Sequence, residues 1–272
     1  MIVCVKVFKV LERSMKKVLT AAFILLFLHT QAQERIDTDR PDQTESVFTV
    51  PLHYFQGELG FGEESFTGRN YHIVHPAFLF KYGIAKRVEL RLEGNLLSDY
   101  LRILPNDARH TATGFEPIEL GTKVMLIEEK GLRPKTSLIV HVGLPFTGYD
   151  YDHEQNLFPS FRFLFQHTLS ERIGLGYNLG AEWDGYSSHP AWTYTISPNV
   201  NIGKKWYAYI EAFGVFHSDH GTEHQLDGGF AYYLSNNTKI DLSAGFGLGN
   251  SPLRHYTSLG FSFRLPPKNN KH

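Results

Sequence analysis

Val88-Glu89-Leu90-Arg91-Leu92-Glu93-Gly94-Asn95-Leu96-Leu97 is the stretch that decides the fold. Val88, Leu90, Leu92 and Leu96 alternate with Glu89, Arg91, Glu93 and Asn95. Successive side chains of a strand point to opposite faces, so strict alternation reads as a strand with one apolar and one polar face. The polar face carries both signs of charge at neighbouring positions.

The pattern recurs along the chain. Strands are expected at 54–61, 71–82, 118–126, 137–144, 160–166, 173–182, 192–202, 206–212, 226–234, 239–248 and 258–263. With the opening stretch that makes about twelve, an even number, as bacterial outer-membrane barrels have. Pro76 cannot donate to a ladder and is expected at a bulge. Short connections (82–87, 128–135, 168–171, 203–205, 235–238) alternate with longer polar ones (62–70, 98–114, 146–156, 184–191, 217–223, 250–254). Short turns on one side and long loops on the other are the signature of an all-β, antiparallel, up-and-down transmembrane β-barrel.

Composition agrees. The chain has 272 residues, with 21 Phe, 14 Tyr and 24 Gly, which suit strands and tight corners. A formal net charge of −1 gives no pull toward nucleic acid. Cys4 is the single cysteine and lies ahead of the strands, so no disulfide, thiolate metal site or thiol nucleophile is expected after it.

Met15-Lys16-Lys17 opens a basic segment, followed by an apolar run from Val18 to Leu28, too short to span a bilayer as a helix. Thr30-Gln31-Ala32 offers small residues for cleavage after Ala32. Residues 1–32 are therefore expected to be a cleaved signal peptide, with Met15 a candidate start. Residues 33–50 are expected to form a periplasmic arm, 51–265 the barrel, and 266–272 a tail. The polar arm has two readings: solvated, or folded into the barrel mouth with its acids paired to interior bases. Both termini are expected in the periplasm. Trp183, Trp192 and Trp206 are expected at strand ends, where interfacial aromatics belong.

Ile36-Asp37-Thr38-Asp39-Arg40-Pro41-Asp42-Gln43-Thr44-Glu45-Ser46, then Val50-Pro51 and Tyr54-Phe55-Gln56-Gly57-Glu58-Leu59-Gly60-Phe61, resemble a known family. It is the family of outer-membrane barrel "transporters" named for the meta-pathway of phenol degradation. Tyr82-Gly83-Ile84, Val88-Glu89-Leu90-Arg91, Asp227-Gly228-Gly229-Phe230 and Asp241-Leu242-Ser243-Ala244-Gly245 are similar to it as well. The resemblance implies an outer-membrane barrel that helps small, hydrophobic or aromatic, molecules cross.

On the interior face, Glu89, Arg91, Glu93, Glu119, Lys123 and Arg162 are the expected constriction or selectivity residues. The same groups could instead cross-link and stiffen the barrel. His217, His220 and His224 have the composition of a metal site and equally that of a solvated loop. A lipid hydrolase built on His141 with Ser137 or Ser160 is a rival that no spacing selects. A structural barrel with binding loops is another. The expected partners are outer-membrane lipid, the barrel-assembly machinery and a small-molecule solute. No cofactor and no enzymatic activity are expected.

Overall fold

The computed structural model describes residues 35–103, 108–148, 156–218 and 221–267. The signal-peptide and cleavage expectations at 1–32 lie outside them, as does most of the tail. Residues 36–272 form one compact unit. No described helix is long and apolar enough to cross a membrane, which says nothing about strands.

The strands are β1 (Phe55–Phe66), β2 (Tyr71–Ala85), β3 (Val88–Ile103), β4 (Ala108–Phe115), β5 (Ile118–Ile127), β6 (Lys135–Leu144) and β7 (Phe158–Thr168). They continue as β8 (Ile173–Glu182), β9 (Ala191–Ile202), β10 (Trp206–His217), β11 (Gly221–Ser235), β12 (Thr238–Leu248) and β13 (Leu253–Leu265). Each pairs with its neighbours antiparallel in one sheet. β1 pairs with both β2 and β13 and so closes the cylinder; Leu59 sits opposite Phe261. β4 and β5 share one side of β3: its first half pairs with β5 from Val88↔Val124, its second half with β4 from Leu96↔Phe115. The closed barrel therefore has twelve staves, β4 and β5 together forming one. Pro117, which has no N–H, stands at the break between them.

The faces are inside-out relative to a soluble protein. Ile210 is 68% exposed and Leu259 56%, whereas Glu89 and Lys123 are fully buried. A lipid-facing surface needs only every second residue to be apolar. Aromatics collect near the short-turn end: Phe55 lies 5.8 Å from Phe80 and 6.1 Å from Phe263, and Trp206 packs 4.8 Å from Tyr232. Trp183, Trp192 and Trp206 stand at strand ends. Pro76 sits at the expected irregularity, where the β2–β3 register shifts between Val74 and Ala77.

Three expected long loops are largely strand, the first being 62–70, of which 62–66 extend β1. Most of 98–114 is the far half of β3 paired to β4, with Tyr71 and Tyr100 stacked 4.4 Å apart across β2–β3. Of 217–223, His217 pairs with Gly221 and extends the β10–β11 hairpin. These stretches lie at the long-loop end of the sheet. Their ladders form without an alternating hydrophobic signature.

Candidate functional site

Residues 36–50 run through the barrel interior, the second of the two readings of the arm. The arm is anchored at the short-turn end on both sides. Ile36 N–H donates to the Asn236 carbonyl at 2.8 Å, and Leu52 bridges to Gly83. Between these anchors it crosses the lumen and touches most of the wall. Glu58 of β1 accepts the Asp39 and Arg40 amides at 3.1 and 3.0 Å. Arg40 reaches Asp241 of β12 at 3.1 Å and Ser258 of β13 at 2.7 Å. Glu45 N–H donates to Asn178 of β8 at 2.7 Å, and Ser137 of β6 donates to the Val47 carbonyl at 2.5 Å. Val47 packs on Ile139 and Leu164, a small apolar foot inside a polar lumen.

Asp39 is the hub. Its carboxylate accepts from Lys81 at 2.7 Å, Arg91 at 2.9 Å, Lys123 at 2.8 Å and the Ser46 amide at 2.9 Å. Burial raises the Asp39 carboxyl, but the Lys123, Lys81 and Arg91 charges outweigh it and hold the group well below the usual carboxylate range. Arg91 is shared: it also meets Glu45 at 3.0 Å and Glu89 at 3.2 Å. Lys81 meets Glu58 at 2.5 Å. Buried charges persist only when paired and hydrogen-bonded, and the arm supplies the acids that these wall bases need.

The six expected interior residues divide at this level. Glu89, Arg91 and Lys123 are locked beneath the arm. Glu93, Glu119 and Arg162 face open space on its long-loop side, where Glu93 and Glu119 are direct cross-strand partners. Two cavities lie there. One of about 540 Å³ is bordered by Phe66, Glu93, Arg162, Phe213 and Tyr256. The other, of about 410 Å³, is bordered by Glu119, Phe158, Arg162, Glu182, Trp183 and His217. Arg162 lines both and lies 3.5 Å from Glu182.

The histidine expectation meets strand parity. His217 borders the smaller cavity, whereas His224, of opposite parity on its strand, lies opposite Gly214, with Nδ1 2.9 Å from the Tyr194 hydroxyl. They stand on opposite faces of the sheet, and His220 lies outside the described residues. Among the described residues no group of three or more His, Cys, Asp or Glu is placed to hold a metal. His141 Nε2 receives Arg91 Nε–H at 3.1 Å, which occupies the lone pair a general base needs, and Ser137 is committed to Val47.

Asp39, Glu45 and Lys81 were not among the expected site residues. Lys81 follows from parity: with Phe78 and Phe80 on the lipid face, Lys81 must point inward.

A family model described as "Putative MetA-pathway of phenol degradation" matches residues 38–265. The chain belongs to this family. The match to the phenol-degradation family starts within the arm, so it takes in the Asp39 hub as well as the barrel. Among solved structures, this member is similar to an outer membrane channel from Pseudomonas putida F1, with 11% identity and a TM-score of 0.65 over 85% of this chain and 100% of that one. It is also similar to the NanC porin, with 8% identity and a TM-score of 0.52 over 78% and 100% of the two chains. A third likeness is to the KdgM porin in complex with disordered oligogalacturonate, with 8% identity and a TM-score of 0.50 over 76% and 98%. At these identities the likeness is one of fold. No sequence among curated proteins matches the chain.

Proposed function

We propose that the protein is an outer-membrane channel or transporter for small molecules with hydrophobic or aromatic bodies, closed at rest by its own arm. The observation that carries this reading is the division of the lumen: cavities of about 540 and 410 Å³ on the long-loop side, and an ion-paired arm across the short-turn side. Small pockets that mix aromatic walls with a few charged groups suit compact ligands with an apolar body. In this reading the long loops face outward, the short turns and both termini face the periplasm, and a solute entering the cavities leaves when the arm shifts. Outer-membrane lipid surrounds the apolar band, and the assembly machinery inserts the barrel.

The test is swelling of liposomes that hold the refolded chain from Gln33 onward, in graded small solutes, for the native protein and for Asp39→Asn. Solute entry that rises when the hub is weakened supports the reading. A folded barrel with no entry in either form overturns it.

A further inference from the structure

The arm rests on two seats of opposite chemistry. At Asp39 it meets bases. At residues 41–44 it meets acids and hydroxyls. Tyr209 OH donates to the Pro41 carbonyl at 3.1 Å, and Tyr207 OH donates to Asp42 at 2.6 Å. Glu211 accepts the Gln43 amide at 2.7 Å and the Thr44 hydroxyl.

Glu211 and Asp227 are direct partners across the β10–β11 ladder. Both are buried, at 3% and 8% exposure. Asp227 Oδ2 takes the Tyr256 hydroxyl, and that of Tyr209 at 3.3 Å. Its Oδ1 is buried and receives no donor from any ordinary N–H or O–H. As register partners, the side chains of Glu211 and Asp227 project from the same face of the sheet.

Among the described residues no Lys or Arg is ion-paired with either carboxyl. Asp42 adds its own repulsion from the arm. The remaining neighbours are neutral: Tyr207 and Tyr209 on β10, Thr195 and Ser197 on β9, and Tyr256 on β13. Arg40 is held on Asp241 and Ser258, and Lys239 on Thr38 and the Arg40 carbonyl. Two facing carboxylates without a cation cannot both ionise cheaply, and one proton between them also supplies the donor that Oδ1 lacks.

We propose that Glu211 and Asp227 share one proton, and that this protonated pair is the seat that holds the tip of the arm in the lumen. When the proton leaves, three negative charges face one another at residues 42, 211 and 227. The tip, whose amide and hydroxyl rest on Glu211, then unseats. The pair gates the arm in the alkaline direction, opposite to the acid sensitivity of the Asp39 hub. The proposal depends on the arm's position and not on which solute crosses.

Glu211→Gln and Asp227→Asn test it. Each replaces the shared proton by an amide N–H of similar shape that does not titrate. Two readouts need no transport: hydrogen exchange of residues 41–46 followed by mass spectrometry, and the infrared carbonyl band of a protonated carboxyl. The native-minus-variant difference spectrum is expected to show a protonated-carboxyl band at neutral pH for each variant, over the share that Asp42 contributes to all three proteins. Native exchange protection over 41–46, corrected for intrinsic rates, is expected to fall by about tenfold per pH unit above the pair's titration. Both variants are expected to stay better protected than native protein there, losing only the share that Asp42 sets. A difference spectrum without a carboxyl band overturns the shared proton. Variants that lose protection with the native pH profile overturn the seat. Glu223→Gln, on the same strand but away from this pair, is the control and is expected to keep both native signals.

Discussion

Lys123 Nζ lies 2.8 Å from Asp39 Oδ1 across a separation of 84 residues, and both groups are buried. This contact joins the arm to β5 of the barrel wall. Lys81 and Arg91 reach the same carboxylate, so three wall bases depend on one arm residue.

Asp39→Ala leaves those three bases short of an acid in a buried setting. Breaking a buried ion pair from one side typically costs about 3–5 kcal/mol, because the partner charge stays desolvated. The expected outcome is a fall in barrel stability of that order, read by urea unfolding of the detergent-refolded protein. Asp39→Asn keeps shape and some hydrogen bonding and is expected to cost less.

Gly83 is where the end of the arm crosses β2 most closely. A Cβ at this position would overlap the Val50 and Pro51 carbonyls, which are backbone and have no rotamer to yield. Gly83→Val is expected to push the arm off the wall while the ladder of β2 with β3 persists. Proteolysis after refolding checks this: cleavage within 36–50 is expected to rise, with the rest of the barrel resistant.

The pH dependence has a sign on each side. Asp39 has a depressed titration in the folded state, so its stabilisation is present above the ordinary carboxylate range and is lost as pH falls through the depressed value. Asp42 goes the other way. Burial pushes it up to about 7, against the Tyr207 hydroxyl, so its share of stability is present at low pH and is lost as pH rises from the ordinary range through about 7. Arm protection against exchange is expected to peak between these limits and to fall on both sides.

Leu164→Ala removes a large part of the apolar foot beneath Val47. Leu164 is fully buried, and Leu-to-Ala changes in packed sites cost about 2–5 kcal/mol. The variant is expected to unfold at lower urea and to exchange faster at residues 46–48, with the Asp39 hub still formed.

Alternation at 88–97 identified the strand class, and the short-long rhythm of connections carried the barrel. What alternation could not show was the long-loop end of the sheet, which is why β4 and the far parts of β1, β3 and β11 read as loops. The arm was partly legible. Its acids suggested partners among the inward bases, but pairing across 84 residues leaves no local periodicity. Two exceptions marked its path. Ile139 and Leu164 face a polar lumen, and an apolar side chain there requires an apolar partner from inside, which Val47 supplies. The division of Glu89, Arg91 and Lys123 from Glu93, Glu119 and Arg162 was invisible in sequence, because it is set by the height at which the arm crosses.

Single-channel conductance in planar bilayers tests the central claim, that the arm closes the barrel. Native protein is expected to pass small or rare currents, and Asp39→Ala and Gly83→Val, by independent routes, larger and longer ones through an otherwise intact barrel. Equal conductance in all three, with the arm shown by proteolysis to be released in the variants, would contradict it.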